Sequence, residues 1–494
     1  MTPLRARIRR LRPRRLRRHL VATAVAALAL SLTFLTIRST SKGADWTSTG
    51  ALSVFRPANG KAAAILEGPG LRGTFVYERA ALLRSGRDTI AAELRLKAKT
   101  TGEARERISI AMAIVIDTSG SMSGEKIAKT REAVAALVES MRDDDRVAIV
   151  SYSSHASLLQ RLDTITAARL RLPAIVESLV AGGGTNIPAG LDAGAEALRA
   201  APPAWVRRMV LLSDGNDGSG VSLETLCDDL RRRSHEGTTL SSIGIGLDYS
   251  ERYMASVADA GNGNYVFLAD GSSLQGFLHR ELDEASASAV DQAFAELTLP
   301  AGWSVENVYG ADHEVTGQRV TLPLGVVRTQ QDRRAVVEFR PPPGAGDALE
   351  TPSLRIRYRT THDNERHELK AAEIALRLVA DPAEVDASVD TSVLASTGAA
   401  RIEAQQAQAL AAWQRGEHGL ARDRAKGAVA AARSLSAKTK SAEVEELAGL
   451  LDREAHVMAA PEAPGAQKAM RAFGSARRSR ARTSDTAYAN EVLE

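Results

Sequence analysis

The sequence predicts an α/β fold: a doubly wound, mostly parallel sheet inserted in or flanked by an antiparallel β-sandwich, with a C-terminal helical region. Three patterns carry this. From residue 109 to about 285, apolar runs alternate with stretches of helical period, beginning at "ISIAMAIVID". Such alternation builds a parallel sheet covered on both faces. On either side, segments such as Ile90–Lys99 and "LRIRYRT" alternate apolar and charged residues at a period of two, as strands with one wet and one dry face do. Beyond about 390 the chain is Ala-rich and helical in period.

The N-terminus is set apart by charge. The chain has 494 residues and a formal net charge of +4, yet residues 1–42 hold eleven Lys and Arg, nine of them from Arg5 to Arg18, and no acid. The remainder is net acidic, so the basic balance comes from a leader and no nucleic-acid partner is expected. Residues 1–19 read as a basic cytoplasmic leader. Leu20–Ile37 is eighteen residues without a charge. As a helix it would be about 27 Å long, the scale of a bilayer's hydrocarbon core. The expectation is a single-pass inner-membrane protein anchored through 20–37, with everything after Arg38 on the periplasmic or extracellular side. A cleaved signal segment, with Ser39-Thr40-Ser41 as the cleavage site and a secreted or periplasmic product, is the alternative.

Residues 38–60 read as a polar linker and 61–108 as strands. Within 109–285, the helix candidate Glu125–Met141 repeats Ile127, Val134, Leu137, Val138 and Met141 on one face, and "DRVAIVSYSS" follows as a buried strand. Helical stretches at Ala167–Leu179 and Pro188–Ala200 flank a Gly-rich break. "VRRMVLLSDG", Leu223–His235, "TTLSSIGIG", Ser250–Ala260 and "NYVFLA" continue the alternation. Cys227, the only cysteine, sits among Leu223, Leu226 and Leu230 at helical spacing; it reads as a small core residue and leaves no internal disulfide.

Residues 286–382 return to period two, with turns at "LPAGW" and "PPPGAG". The strands of 61–108 are too few for a sandwich of their own, so they are expected to pair with those of 290–380. The α/β unit then becomes an insertion. Residues 390–458 form the helical region, with two helices flanking "RGEHG" and a third near Ala437–Ala455. Residues 461–494, with the basic cluster "RRSRAR", are expected to be disordered.

The chemistry gathers at strand ends. "DTSGSM", Asp117 to Met122, follows the apolar run Ile114–Ile116, and in parallel sheets ligands bind outside the carboxyl ends of strands. A phosphate loop is excluded, because Gly120 to Gly124 is one residue short and Glu125 precedes Lys126. A hydrolase elbow is excluded, because Met122 stands where serine belongs. No H-E-x-x-H occurs; His362 and His367 in "THDNERHE" have the wrong spacing. What is left is a set of hard oxygens on Asp117, Ser119 and Ser121. Two further loops add to it: "GGGTN", Gly182–Asn186, supplies Thr185, and "SDG", Ser213–Gly215, supplies Asp214. Hard cations of the Mg²⁺ type prefer such donors, in octahedral geometry. Asn186, Asp217 and His155 lie near the same loops, where Asn and Asp serve backbone geometry.

These three stretches, in this order, resemble the metal-ion-dependent adhesion site of the von Willebrand factor type A (VWA) domain, a Rossmann-like fold. The resemblance covers roughly 109–285. It implies that Ser119, Ser121 and Thr185 contact the metal directly while Asp117 and Asp214 act through water. It implies Mg²⁺, with Mn²⁺ or Ca²⁺ possible, and a partner protein whose Asp or Glu fills an open position. The wider layout is similar to bacterial membrane-anchored proteins related to calcium-activated chloride channel homologues, although no stretch after Ile37 could line a pore. The expected function is an outward-facing, membrane-anchored adhesion or scaffold protein and no enzyme. Two alternatives stay open: an assembly factor that works with an ATPase on another complex, and a metal-dependent hydrolase. Against the latter, no His, Cys or Lys is paired with a nucleophile in these motifs.

Overall fold

Strand-forming sequence comes first, as Thr47–Ser48 (β1), Ala63–Gly68 (β2), Leu71–Tyr77 (β3), Ala81–Leu83 (β4) and Ile90–Ala98 (β5). The structure is a computed structural model that describes residues 47–48, 62–84, 88–99, 109–202, 205–214, 216–246, 250–268, 273–286, 288–328, 332–343, 346–361, 363–463, 465–470 and 473–474. Phe75, Leu94 and Leu96 of these strands are buried and need a covering layer.

An α/β unit intervenes before that layer arrives. It runs Ile110–Asp117 (β6), Glu125–Ser140 (α1), Arg146–Tyr152 (β7), Ala156–Thr164 (β8), Ile165–Ser178 (α2), Ile187–Leu198 (α3), Val206–Ser213 (β9), Leu223–His235 (α4), Thr238–Ile245 (β10), Glu251–Ala260 (α5), Asn262–Leu268 (β11) and Leu274–Ser286 (α6). Its sheet has the order β11-β10-β9-β6-β7-β8. All neighbours are parallel except β8, which runs antiparallel to β7. Helices cover both faces, so the central strand β6 is buried at every position. Cys227 lies on α4 and is buried, its thiol 3.6 Å from the Ser256 carbonyl.

The covering strands follow as Ser288–Thr298 (β12), Ser304–Tyr309 (β13), Glu314–Thr316 (β14), Arg319–Arg328 (β15), Arg333–Arg340 (β16), Ala348–Glu350 (β17), Ser353–Thr360 (β18), Arg366–Lys370 (β19) and Ala375–Val379 (β20). β5 lies between β3 and β16, with Leu96 opposite Arg333. Two sheets result, β13-β16-β5-β3-β2 and β1-β19-β18-β12-β15-β14. They enclose a core that includes Phe75, Leu94, Leu297, Leu322, Phe339 and Ile356. β17, β20 and β4 form a smaller third sheet. The early and late strands thus share one sandwich, and the α/β unit is inserted between β5 and β12.

The chain closes with helices Pro382–Ala387 (α7), Thr391–Gln414 (α8), His418–Thr439 (α9) and Ala442–Ala459 (α10). Small residues let them approach closely: a Cβ on Gly398 would lie 2.6 Å from Leu435 Cδ2. α8 docks on the sandwich through buried polar groups. Arg401 pairs with Glu78 at 3.1 Å and also with Glu338, and Ser396 Oγ donates to Glu93 at 2.7 Å.

Three expectations need correction. The sequence showed no strand at 156–164, because β8 is an edge strand whose residues are mostly exposed or half-buried and lack a clean period. The tail expected to be disordered from 461 continues into a helical turn at 466–470, where Ala466 and Met470 are buried beside Trp413. The single-pass inner-membrane localisation is not supported either: among the described residues no helix is long and apolar enough to cross a membrane. Residues 1–19, 20–37 and most of 38–60, on which the leader, anchor and linker were read, lie outside the described residues.

The seam between α3 and the sheet sets the first prediction. A Cβ on Gly190 would lie 2.7 Å from Tyr152 Cδ1 and 3.0 Å from Val115 Cγ1. Overpacking costs about 1–3 kcal/mol, against about 1 kcal/mol gained by replacing a helical glycine with alanine. Gly190→Ala is expected to lower the urea midpoint of the full chain, by about 1 kcal/mol of stability.

Candidate metal site

The carboxyl end of β6 delivers Asp117, whose side chain has no solvent exposure. Ser119 N–H donates to its Oδ1 at 2.7 Å, while Ser213 Oγ at 2.6 Å and Tyr152 Oη at 3.3 Å donate to Oδ2. Both carboxylate oxygens therefore have protein donors. Burial pushes the Asp117 carboxyl above its usual range, the nearby Asp214 charge adds to this, and the hydrogen bonds from Ser119 and Ser213 oppose it. Burial raises the Tyr152 phenol too, reinforced by Asp117.

After Asp117 the chain turns sharply through a short 3₁₀ segment, Gly120–Met122, with Met122 buried as its anchor. The turn brings Ser119 Oγ and Ser121 Oγ to 3.1 Å of each other. Asp214, directly after β9 and 1% exposed, accepts from Ser121 Oγ at 2.7 Å. The Gly-rich loop joins through backbone contacts: Gly120 N–H donates to Gly183 O at 3.1 Å and Gly182 N–H to Thr118 O at 2.7 Å. A Cβ on Gly183 would lie 3.2 Å from Ser153 Oγ, and its φ of +83° favours glycine, so the loop can approach only without side chains there. Thr185 follows, its carbonyl accepting from Gly218 N–H at 2.8 Å. All five residues picked from the sequence thus sit at one end of the sheet, Asp117 closing β6 and the other four on loops.

The donor set fits a hard divalent cation. Adjacent ligands of an octahedral Mg²⁺ with bonds of 2.0–2.1 Å are about 2.9 Å apart. The Ser119–Ser121 separation of 3.1 Å is close to that edge, and Asp214, 2.7 Å from Ser121 Oγ, stands behind it as a carboxylate that a metal-bound water could reach. Asn186 and Asp217 serve the backbone, as expected. Asn186 Oδ1 accepts from Ala189 N–H at 3.1 Å to cap α3, and Asp217 Oδ1 accepts from Ile187 N–H at 3.0 Å.

Three contributors escaped the sequence reading. Ser213 and Tyr152 hold Asp117, and a buried hydroxyl ending the apolar run "MVLLS" was the available signal for the first. Lys126, in the first turn of α1, places its ammonium on Asp214 Oδ2 and 3.4 Å from the Ser121 carbonyl. A lysine in a first turn opposes the helix dipole, which already hints at an acid nearby.

Comparison with known proteins agrees with this fold. The von Willebrand factor type A domain matches residues 112–280. The chain is 30% identical over 203 residues to the uncharacterised Escherichia coli K12 protein YfbK, covering 40% of this chain and 34% of that protein. It is 29% identical over 194 residues to inter-alpha-trypsin inhibitor heavy chain H3 of Rattus norvegicus, covering 37% of this chain and 20% of that protein. The match therefore spans about a third or less of either relative. A solved structure, von Willebrand factor type A from Catenulispora acidiphila, superposes with a TM-score of 0.62 at 19% identity, over 81% of this chain and 91% of that one. That likeness is one of fold, and it extends beyond the α/β unit. Residues 112–280 of this chain are a von Willebrand factor type A domain.

Proposed function

We propose that this protein binds a partner protein through a divalent cation, Mg²⁺ in the first place, held at the strand ends of its VWA domain. Ser119, Ser121 and Thr185 act as direct ligands, and Asp117 and Asp214 act through water. The observation that carries the reading is the convergence of the Ser119 and Ser121 hydroxyls, 3.1 Å apart and near the edge of an octahedral shell, with the Asp214 carboxylate 2.7 Å behind Ser121. The bound ion supplies an electrophilic centre with a position left for an Asp or Glu of the partner. The chain's own residues do the positioning. Asp117 fixes the turn by accepting the Ser119 N–H, and Ser213 and Tyr152 orient Asp117. We place the domain at 109–285, carried between the sandwich segments 61–108 and 286–382, with 390–458 docked beside them.

The test uses the full chain. Mg²⁺ at a hundred times its Kd is expected to stabilise the protein by about 2.7 kcal/mol, read as a rise in Tm that EDTA reverses. Ser119→Ala and Ser121→Ala should each abolish the rise and the Mg²⁺-dependent capture of partner proteins in a pull-down, with circular dichroism unchanged. Capture that survives both EDTA and these substitutions would sink the reading.

A further prediction follows from Asp117. Its folded pKa lies above the unfolded one, so the native state holds the proton more tightly. The stability this gives at low pH is lost as pH rises from the ordinary Asp value of about 3.9 through the folded pKa. At neutral pH without metal, the ionised carboxylate is a liability. Asp117→Asn is expected to stabilise the metal-free protein more at pH 7 than at pH 3, measured by urea unfolding in EDTA. It should also remove the Mg²⁺-induced rise in Tm.

A further inference from the structure

Lys126 stands where the site's charge balance is decided. The Asp214 side chain has 0% exposure and that of Lys126 27%, so their ion pair is shielded from water on the Asp side. A buried carboxylate without a partner is costly, and here the partner is this ammonium. Its path is kept clear by Gly246 after β10, where a Cβ would lie 3.2 Å from Lys126 Cε and 3.3 Å from Nζ. The same ammonium reaches the Ser121 carbonyl, so it stands among the oxygens that would surround a metal.

We propose that Lys126 is a resident counter-cation of the metal site, which holds Asp214 when no divalent ion is bound and competes with that ion for the carboxylate. The inference rests on the metal reading above and adds what regulates occupancy. Binding a divalent ion requires the ammonium to leave Asp214 or to stay beside a like charge, and either lowers the affinity. Without metal, Asp214 in turn stays neutralised. Lys126 is a positioning and competing residue; it is no ligand.

The experiment is a Mn²⁺ titration by calorimetry at one fixed pH, on the full chain and on Lys126→Met and Lys126→Gln. Both neutral variants are expected to bind at least tenfold more tightly than the parent. Their Tm in EDTA should fall by several degrees, and saturating Mn²⁺ should close most of that gap. Ser121→Ala must lose the binding in every background, which ties the measured ion to this site. Unchanged or weaker Mn²⁺ binding in both Lys126 variants, with the parent still binding, overturns the competition and leaves the metal reading standing. No binding by parent or variants at millimolar Mn²⁺ overturns both. Binding by the variants alone supports the competition in its strongest form.

Discussion

The burial of one carboxylate governs the arrangement at the sheet end. Asp117 has no solvent exposure, and its hydrogen-bond donors come from the loop after β6, from β7 and from β9. A charged group so placed must be satisfied locally. The donors that satisfy it fix the direction in which the chain leaves β6. That direction sets Ser119 and Ser121 on one side, and β9 then presents Asp214 to them. The register of β6 between β7 and β9, with Asp117 opposite Tyr152, underlies all of these contacts. The close approach of α3 to Tyr152 at Gly190 ties helix packing to the same carboxylate.

The part of this legible in the sequence was the part set by local pattern. β6 is buried on both faces, so its composition alone marked it as central, and small oxygen-bearing residues at its end could only be a turn or a site. What escaped depends on contacts across the fold. Lys126 meets Asp214 across 88 positions, and no spacing rule links them. β8 escaped because an edge strand has no dry face to advertise. The charged side of β5 read as wet, yet Glu93 on it is buried, since Ser396 of α8 and Arg95 hold its carboxylate. Docked helices can hide charges that periodicity assigns to solvent.

The insertion has a geometric consequence for access. The contacts between the VWA domain and the sandwich fall at the amino ends of the outer strands. The rings of His235 and Phe294 meet edge-on at 4.9 Å, and a Cβ on Gly325 would collide with Asn262 at the start of β11. In a parallel sheet the amino and carboxyl ends lie at opposite edges, so the sandwich grips the end away from Asp117 and Asp214. The helical region comes nearer, with Gln414 Nε2 donating to Glu251 at the start of α5 at 3.3 Å. That contact lies beyond β10, on the far side of β9 from Ser119 and Ser121.

The two supports therefore leave the loops after β6, α2 and β9 facing outward together. Val180 and Val221 border those loops with 68% and 41% of their surface exposed. Polar oxygens thus converge at the centre of this end, with the two valines at its margin. The one large side chain of "DTSGSM", Met122, is turned into the core, and the glycines before Thr185 carry none, so no large group stands between the oxygens and the solvent.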